Sequence, residues 1–244
     1  MRIDVAFTPA GLSRMEVAGR TVFVIDVLRA TTTMCAALAN GARACVPVGT
    51  IEEAMRLATT LERREILLAG ERGSLRIDGF DLGNSPLEMT EQVVRGKTVI
   101  MTTTNGTEAL LATGLATGVY IAAGVNVSAA ATRAREVLAE TDDLLVLCAG
   151  REGEFGLDDA FTAGRLLLGA LEGRRPTHGV NDAALVCLDL ARRYSTWLRP
   201  LMAARAGREL VRLGFRDDVV LAATQDRYPL LPQFSDRRIT VRAA

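Results

Sequence analysis

Short runs of consecutive apolar residues alternate along this chain with longer stretches that are apolar at every third or fourth position. The runs have strand length and are rich in Val, Ile and Leu; they cover residues 3–7, 21–27, 44–48, 65–69, 98–102, 119–123 and 144–148. In 21–27 the apolar residues stand on consecutive positions, as suits a strand buried on both faces of a sheet. Between them, residues 31–39, 51–62, 87–94, 108–113, 129–140 and 158–171 read as helices. The punctuation agrees. Asn40-Gly41 is a helix-ending pair, Thr50 is placed as an N-cap, and Asn126 or Ser128 opens the helix at 129. Residues 70–86 hold five Gly or Pro positions and no period, so they are expected to form a loop. The alternation predicts an α/β protein, with a mostly parallel sheet carrying helices on both faces. After residue 174 the pattern changes. Residues 181–194, 201–213 and 217–223 look helical in succession, and 239–241 is a late strand. The Gly-Arg-Arg-Pro stretch at 173–176 is the natural boundary between an α/β unit at 1–174 and a helix-rich C-terminal part at 175–244 packed on it.

Composition narrows the chemistry. The 244 residues carry 29 basic and 29 acidic side chains, a formal net charge of zero, which argues against a nucleic-acid or polybasic membrane partner. His178 is the only histidine, so no site needing two of them is available. Lys97 is the only lysine, so arginine supplies nearly all the positive charge. Cys35, Cys45, Cys148 and Cys187 fit no zinc or disulfide spacing and predict reduced thiols in a cytoplasmic protein. No apolar stretch reaches the roughly 18 residues a membrane span requires, and the first residues do not read as a signal peptide. An Ala/Leu-rich surface helix is suited to self-association, so a homo-oligomer is compatible with the sequence.

The polar residues that carry chemistry cluster where apolar runs finish. Asp26 follows four apolar residues and leads into Arg29, Thr31, Thr32 and Thr33. Residues 100–107 end in Thr102, Thr103, Thr104, Asn105, Gly106 and Thr107, and residues 147–153 pass through Gly150 towards Asp158 and Asp159. In an open parallel sheet all such junctions emerge at one edge, where ligands bind. Hydroxyl residues at helix starts supply an anion cradle, or else plain N-caps. Arg29 is placed to close on the same anion, or to pair with Asp26. Asp26, Glu71, Asp158 and Asp159 are hard oxygen ligands suited to Mg²⁺. Cradle and acids together predict metal-assisted phosphate chemistry.

Common phosphate-handling motifs fail here. A haloacid-dehalogenase motif needs a second acid where Leu28 stands, and a tyrosine-phosphatase loop needs arginine where Glu154 stands. A Walker A loop needs glycine at Glu91, and no GxSxG elbow occurs. Cys148 therefore reads as a packing residue and His178 as a surface or boundary residue.

The segments do resemble the 2-phosphosulfolactate phosphatase (ComB) family. The matching stretches are VIDVLRATTT at 24–33, LAGER at 68–72, GFDLGNSP at 79–86, TTNGT at 103–107 and CAG at 148–150, with DDA at 158–160 and a later Asp182-Ala183. The resemblance implies an α/β, Mg²⁺-dependent phosphomonoesterase that converts 2-phospho-3-sulfolactate to 3-sulfolactate and phosphate, a step of coenzyme M synthesis in methanogens. On that reading Asp26, Arg29, Glu71 and Asp158 are catalytic, and Asp26, Glu71, Asp158 and Asp159 supply the metal ligands. Thr31, Thr32, Thr103, Thr104, Gly106, Thr107 and Gly150 surround the phosphate. Arg29 and Arg72 grip the carboxylate and sulfonate, with Asn84, Ser85 and Asn105 adding hydrogen bonds. The attacker is a metal-activated water or Asp26 itself. Two other functions fit the residues: a phosphatase for another small phosphorylated carboxylic acid, and a non-catalytic phosphate-binding module.

Overall fold

The computed structural model describes residues 1–174, 176 and 178–241. Of the boundary stretch at 173–176, Arg175 lies outside the described residues. The first part of the chain alternates as its apolar pattern requires. Its elements are β1 (Arg2–Ala6), α1 (Arg14–Val17), β2 (Thr21–Ile25), α2 (Ala30–Ala39), β3 (Ala44–Pro47), α3 (Ile51–Thr59), β4 (Ile66–Arg72) and β5 (Leu75–Arg76). They continue with α4 (Glu91–Val94), β6 (Thr98–Thr102), α5 (Gly106–Leu111), β7 (Gly118–Ala122), α6 (Val127–Thr141), β8 (Asp143–Cys148) and α7 (Leu157–Ala170). Four helices follow: α8 (Asp182–Arg193), α9 (Leu198–Ala203), α10 (Arg205–Arg212) and α11 (Arg216–Ala222). A hairpin of β9 (Pro232–Ser235) and β10 (Arg238–Val241) completes the set.

The local signals act as expected at several ends. Thr50 accepts a hydrogen bond from the Glu53 amide and caps α3, and Asn181 accepts from the Ala184 amide and caps α8. Gly41, at φ 90°, ends α2 in the left-handed region that glycine tolerates. Asn126 does not cap α6 through its side chain. Its Oδ1 accepts from the Ala123 amide across a tight 3-10 turn at Gly124–Asn126.

Four stretches depart from the apolar pattern. The loop expected at 70–86 begins instead as strand, because β4 runs on to Arg72 and turns back into β5. The helix expected at 87–94 is split into a 3-10 turn at Pro86–Glu88 and the short α4. Between them the Asn40 side chain donates to the Met89 carbonyl and takes it out of any helical ladder. The helix expected at 201–213 breaks at Ala204, which is extended at ψ 152°, giving α9 and α10. The break lets Gly207 pack directly on the Leu201 carbonyl, where a Cβ would fall 1.9 Å from the oxygen. Finally, β9 spans only Pro232–Ser235, too short a stretch to carry a strand signal in sequence.

The strands form one ten-stranded sheet in the order β1-β8-β2-β7-β9-β10-β3-β6-β4-β5. Two parallel blocks, β1-β8-β2-β7 and β3-β6-β4, flank the antiparallel β9–β10 hairpin. The hairpin is paired to β7 at Tyr120 and Gln233, and to β3 at Cys45 and Ile239. Both faces of the sheet are covered. In β4 and β6, Leu67, Ala69, Val99 and Met101 join the main core, while the alternate residues Ile66, Leu68 and Ile100 pack with Val48, Ala54, Ile77 and Phe80. The same main core takes in Leu201, Leu210, Val219 and Ile239 from beyond residue 174. At the β1 edge, Val180 bridges to Ile3, and the Asn181 side chain bonds both the amide and the carbonyl of Val5, which together blunt the strand edge. Among the described residues, no helix is long and apolar enough to cross a membrane.

Candidate active site

The carboxyl ends of the parallel strands carry the residues singled out by sequence. Asp26 follows β2, Glu71 lies near the end of β4, Thr103 to Asn105 follow β6, and Gly150 follows β8. Two adjoining hollows open there. A cleft of about 270 Å³ is lined by Asp26, Asn105, Gly150, Arg151, Asp158 and Asp159, with Arg205 and Arg208 from α10. A smaller pocket of about 70 Å³ is lined by Asp26, Arg29, Glu71, Asn84, Thr104 and Asn105. Asp26, Leu28, Asn105 and Arg151 belong to both, so Asp26 stands at their junction.

Asp26 is held closely. Its Oδ1 accepts from the Ala30 amide at 3.2 Å, and its main chain exchanges bonds with Thr31. Gly106 makes room for its other oxygen, since a Cβ at 106 would lie 2.6 Å from Asp26 Oδ2 and 2.6 Å from the Ala30 methyl. Burial pushes the Asp26 carboxyl up to about 7, helped by the nearby charges of Asp158 and Glu71 and opposed by the Ala30 amide and Arg29. Burial likewise pushes Asp158 up to about 6, against its own backbone amide, that of Asp159, and the Arg151 cation. Asp159 is raised well above the carboxylate range by burial and by Asp158 and Asp26.

The four acids differ in what their oxygens do. Asp159 accepts from the Val27 amide at 2.9 Å and the Gly150 amide at 3.1 Å, tying the end of β2 to the end of β8. Glu71 accepts from the Ser74 amide at 2.7 Å and the Thr104 amide at 2.8 Å, tying the β4–β5 turn to the loop after β6. Asp26 and Asp158 instead face the 270 Å³ cleft without a second anchored oxygen. Among the described residues, no three His, Cys, Asp or Glu side chains gather as a ready-made metal cage.

The threonine runs are spent on the protein's own backbone. The hydroxyls of Thr31, Thr32 and Thr33 donate to the carbonyls of Asp26, Val27 and Asn84, and the amides of Thr31 and Thr33 donate to Asp26 and Arg29. Thr103 and Thr107 exchange hydroxyl and amide bonds with each other. Thr104 is exposed, and Asn105 accepts from the Glu152 amide across the cleft. Gly150, at φ 63°, packs so closely on Phe7, Thr8 and Glu154 that a Cβ would meet the Glu154 carbonyl at 2.4 Å.

The arginines divide in a way that sequence did not reveal. Arg29 is buried, with its guanidinium on Asp218 and on the Ser74 carbonyl, and the Leu28–Arg29 peptide is cis. Arg72 donates to the Glu71 carbonyl and the Thr102 hydroxyl. The cleft wall is formed by Arg151, which follows the end of β8, and by Arg205 and Arg208, which no strand end or repeated hydroxyl run marks. Arg151 pairs with Glu209 at 2.5 Å, and Arg205 pairs with Glu152 at 3.0 Å and Glu154 at 3.4 Å. Arg151 stood inside a recognised segment and was the one legible signal; the break at Ala204 that turns α10 towards the cleft was not. Ser85 donates to Asp218, and buried Asn84 has an Oδ1 with no hydrogen-bond partner. Cys148 is buried, with its thiol pushed up by burial and by Asp159, as suits a packing residue rather than a nucleophile.

This arrangement, acids facing arginines at the carboxyl edge of a parallel sheet, belongs to a chain whose relatives are recognisable over almost its whole length. The family model for 2-phosphosulpholactate phosphatase matches residues 6–237. A probable 2-phosphosulfolactate phosphatase of Symbiobacterium thermophilum is 42% identical over 227 residues, 93% of this chain and 96% of the relative. Proteins of the same description from Caldanaerobacter subterraneus and Clostridium novyi are 39% and 34% identical, covering 89% and 98% of this chain and 88% and 100% of their own lengths. With the match extending through every strand-end segment of the cleft, the chain belongs to the 2-phosphosulfolactate phosphatase family.

Proposed function

We propose that this protein hydrolyses 2-phospho-3-sulfolactate to 3-sulfolactate and phosphate, with Mg²⁺ as cofactor. The observation that carries the reading is the cleft itself, where buried Asp26 and Asp158 share one hollow with Arg151, Arg205 and Arg208. A substrate that bears a phosphate, a carboxylate and a sulfonate needs both kinds of surface.

The residues present fit a magnesium ion. Mg²⁺ takes one or two carboxylates, keeps several waters and accepts substrate phosphate, so a three-acid cage is not required. Asp26 and Asp158 are the pair that would hold it, and the unpartnered Asn84 Oδ1 leaves a free acceptor at the smaller pocket beside Asp26. When bound, the cation neutralises phosphoryl charge and favours its transfer to water. The chain does the positioning. Asp159 and Glu71 lock the loops that present Asp26, and Arg29 adds a positive charge to the smaller pocket. Arg151, Arg205 and Arg208 offer planar donors to the carboxylate and sulfonate, with Arg151 and Arg205 exchanging glutamate partners for substrate. A loose, charge-dispersed transition state asks for this kind of placement more than for covalent help. Water attacks phosphorus directly, which predicts inversion of configuration at phosphorus; retention would indicate an aspartyl-phosphate route.

The test is phosphate release from 2-phospho-3-sulfolactate, with Mg²⁺, with EDTA, and with EDTA followed by excess Mg²⁺. Turnover should vanish on chelation and return with the metal. Undiminished turnover in EDTA would remove Mg²⁺ from the reading. Phosphate binding without turnover would make the protein an anion-binding module. In the same assay phospholactate and phosphoglycolate should be poorer substrates, and Arg205→Ala should narrow that preference. Equal turnover of all three by the intact protein would broaden the function to small phosphorylated carboxylic acids.

A further inference from the structure

The smaller pocket is held together by a side chain from the far end of the chain. Asp218, in the first turn of α11, is 2% exposed, and each of its oxygens is engaged. Oδ2 accepts from Arg29 Nη1 at 2.7 Å, and Oδ1 accepts from the Ser85 hydroxyl at 2.6 Å. The other arm of Arg29 donates to the Ser74 carbonyl at 2.7 Å, and the Phe215 ring lies 4.5 Å beneath the guanidinium carbon. The Ser74 amide in turn donates to Glu71. One carboxylate thus fixes the segment that follows β2, the loop carrying Asn84 and Ser85 and, through Arg29, the β4–β5 turn. All three line the pocket beside Asp26.

From this geometry we infer that Asp218 is a positioning residue for the reaction, acting through Arg29. The inference rests on the phosphatase reading above. Burying an ion pair gains little stability over an apolar packing of the same volume, because both charges are desolvated. What it supplies here is a guanidinium with fixed direction at the pocket wall. Phe215 and Ser74 limit tilt and Asp218 limits rotation, so the cation stays at the wall of the pocket beside Asp26 without being pulled onto it. Reorganisation during the reaction is then small, which is how fixed charges serve a transition state.

The experiment is a double-mutant cycle on the full chain: wild type, Asp218→Asn, Arg29→Ala and the double variant, each assayed with Mg²⁺ for kcat and KM on 2-phospho-3-sulfolactate and on p-nitrophenyl phosphate, with thermal midpoints alongside. Asparagine keeps the shape and the bond to Ser85 but removes the charge. Asp218→Asn should lower kcat/KM by about ten- to a hundredfold, and by less than about twofold further when Arg29 is already alanine. Asp218→Asn within about twofold of wild type, or an equal loss in both backgrounds, would overturn the inference. If Asp218→Asn does not fold, Ser85→Ala takes its place in the cycle. It removes one anchor of the carboxylate and should cost about two- to fivefold, again only when Arg29 is present; an equal cost without Arg29 overturns the inference. Wild-type turnover on phosphosulfolactate alone tests the functional reading. The ratios, taken on whichever phosphomonoester is turned over, test Asp218.

Discussion

Asp26 is short of counter-charge. Its carboxyl, pushed up to about 7 from an ordinary 3.8 by burial, binds protons more tightly in the folded than in the unfolded chain between those values. The stability it contributes is therefore complete below about 4 and is lost as pH rises towards 7. Asp26→Asn keeps the neutral form at every pH. In metal-free protein it should raise the thermal midpoint relative to wild type more at pH 7.5 than at pH 5, by about 2–4 °C for each kcal/mol recovered; equal offsets at the two pH values would contradict the assignment. The same variant should lose at least about a hundredfold in turnover with Mg²⁺, and near-normal activity would remove Asp26 from the centre. At this scale much was legible in sequence. A lone acid after four apolar residues is costly to bury without a use, so Asp26 stood out. The direction of a long side chain was not legible, because it depends on contacts remote in sequence. Arg29 meets Asp218, 189 positions away, and Arg205 reaches the cleft from a helix that no motif marks.

Between elements, the site depends on how closely α5 approaches the end of β2. Gly106 is the point of contact, and alanine there would place a methyl 2.6 Å from both Asp26 Oδ2 and the Ala30 methyl. Neither neighbour can retreat, since Ala30 is in the first turn of α2 and Asp26 is bonded to it. Gly106→Ala should reduce kcat by about tenfold or more through misplacement of Asp26. Gly114→Ala, which would meet only the Leu111 carbonyl at 3.8 Å, should stay within about twofold of wild type. Similar losses from both would point to α5 stability and not to the contact. The seven strands of the two parallel blocks were readable because burial on both faces leaves continuous apolar runs. The break at Met89 was not readable because it is set by the Asn40 side chain, outside the segment, and the break at Ala204 was not readable because the packing of Gly207 on the Leu201 carbonyl leaves the apolar period of 201–213 unmarked.

At the scale of the whole molecule, the β9–β10 hairpin fills the gap between the two parallel blocks. Strand existence can be read from periodicity, but strand order cannot, and β9 contributes only Pro232 to Ser235, too few residues for a period to show. Ile239 is fully buried where the hairpin meets β3. Ile239→Ala should cost about 2–5 kcal/mol, as for other large aliphatic truncations in a core. Because the blocks share the hairpin, urea unfolding followed by Trp197 fluorescence and by far-ultraviolet circular dichroism should give coincident transitions in both proteins; separated transitions would show that the blocks fold apart. Asp26, Asp158 and Gly150 stand on one side of that seam and Glu71 and Asn105 on the other, while Asp218, Arg205 and the hairpin that closes it all come from residues 205–241. A chain cut before residue 205 would therefore lack both the Asp218 bond to Arg29 and the hairpin that joins the sheet, and such a truncation should show no turnover.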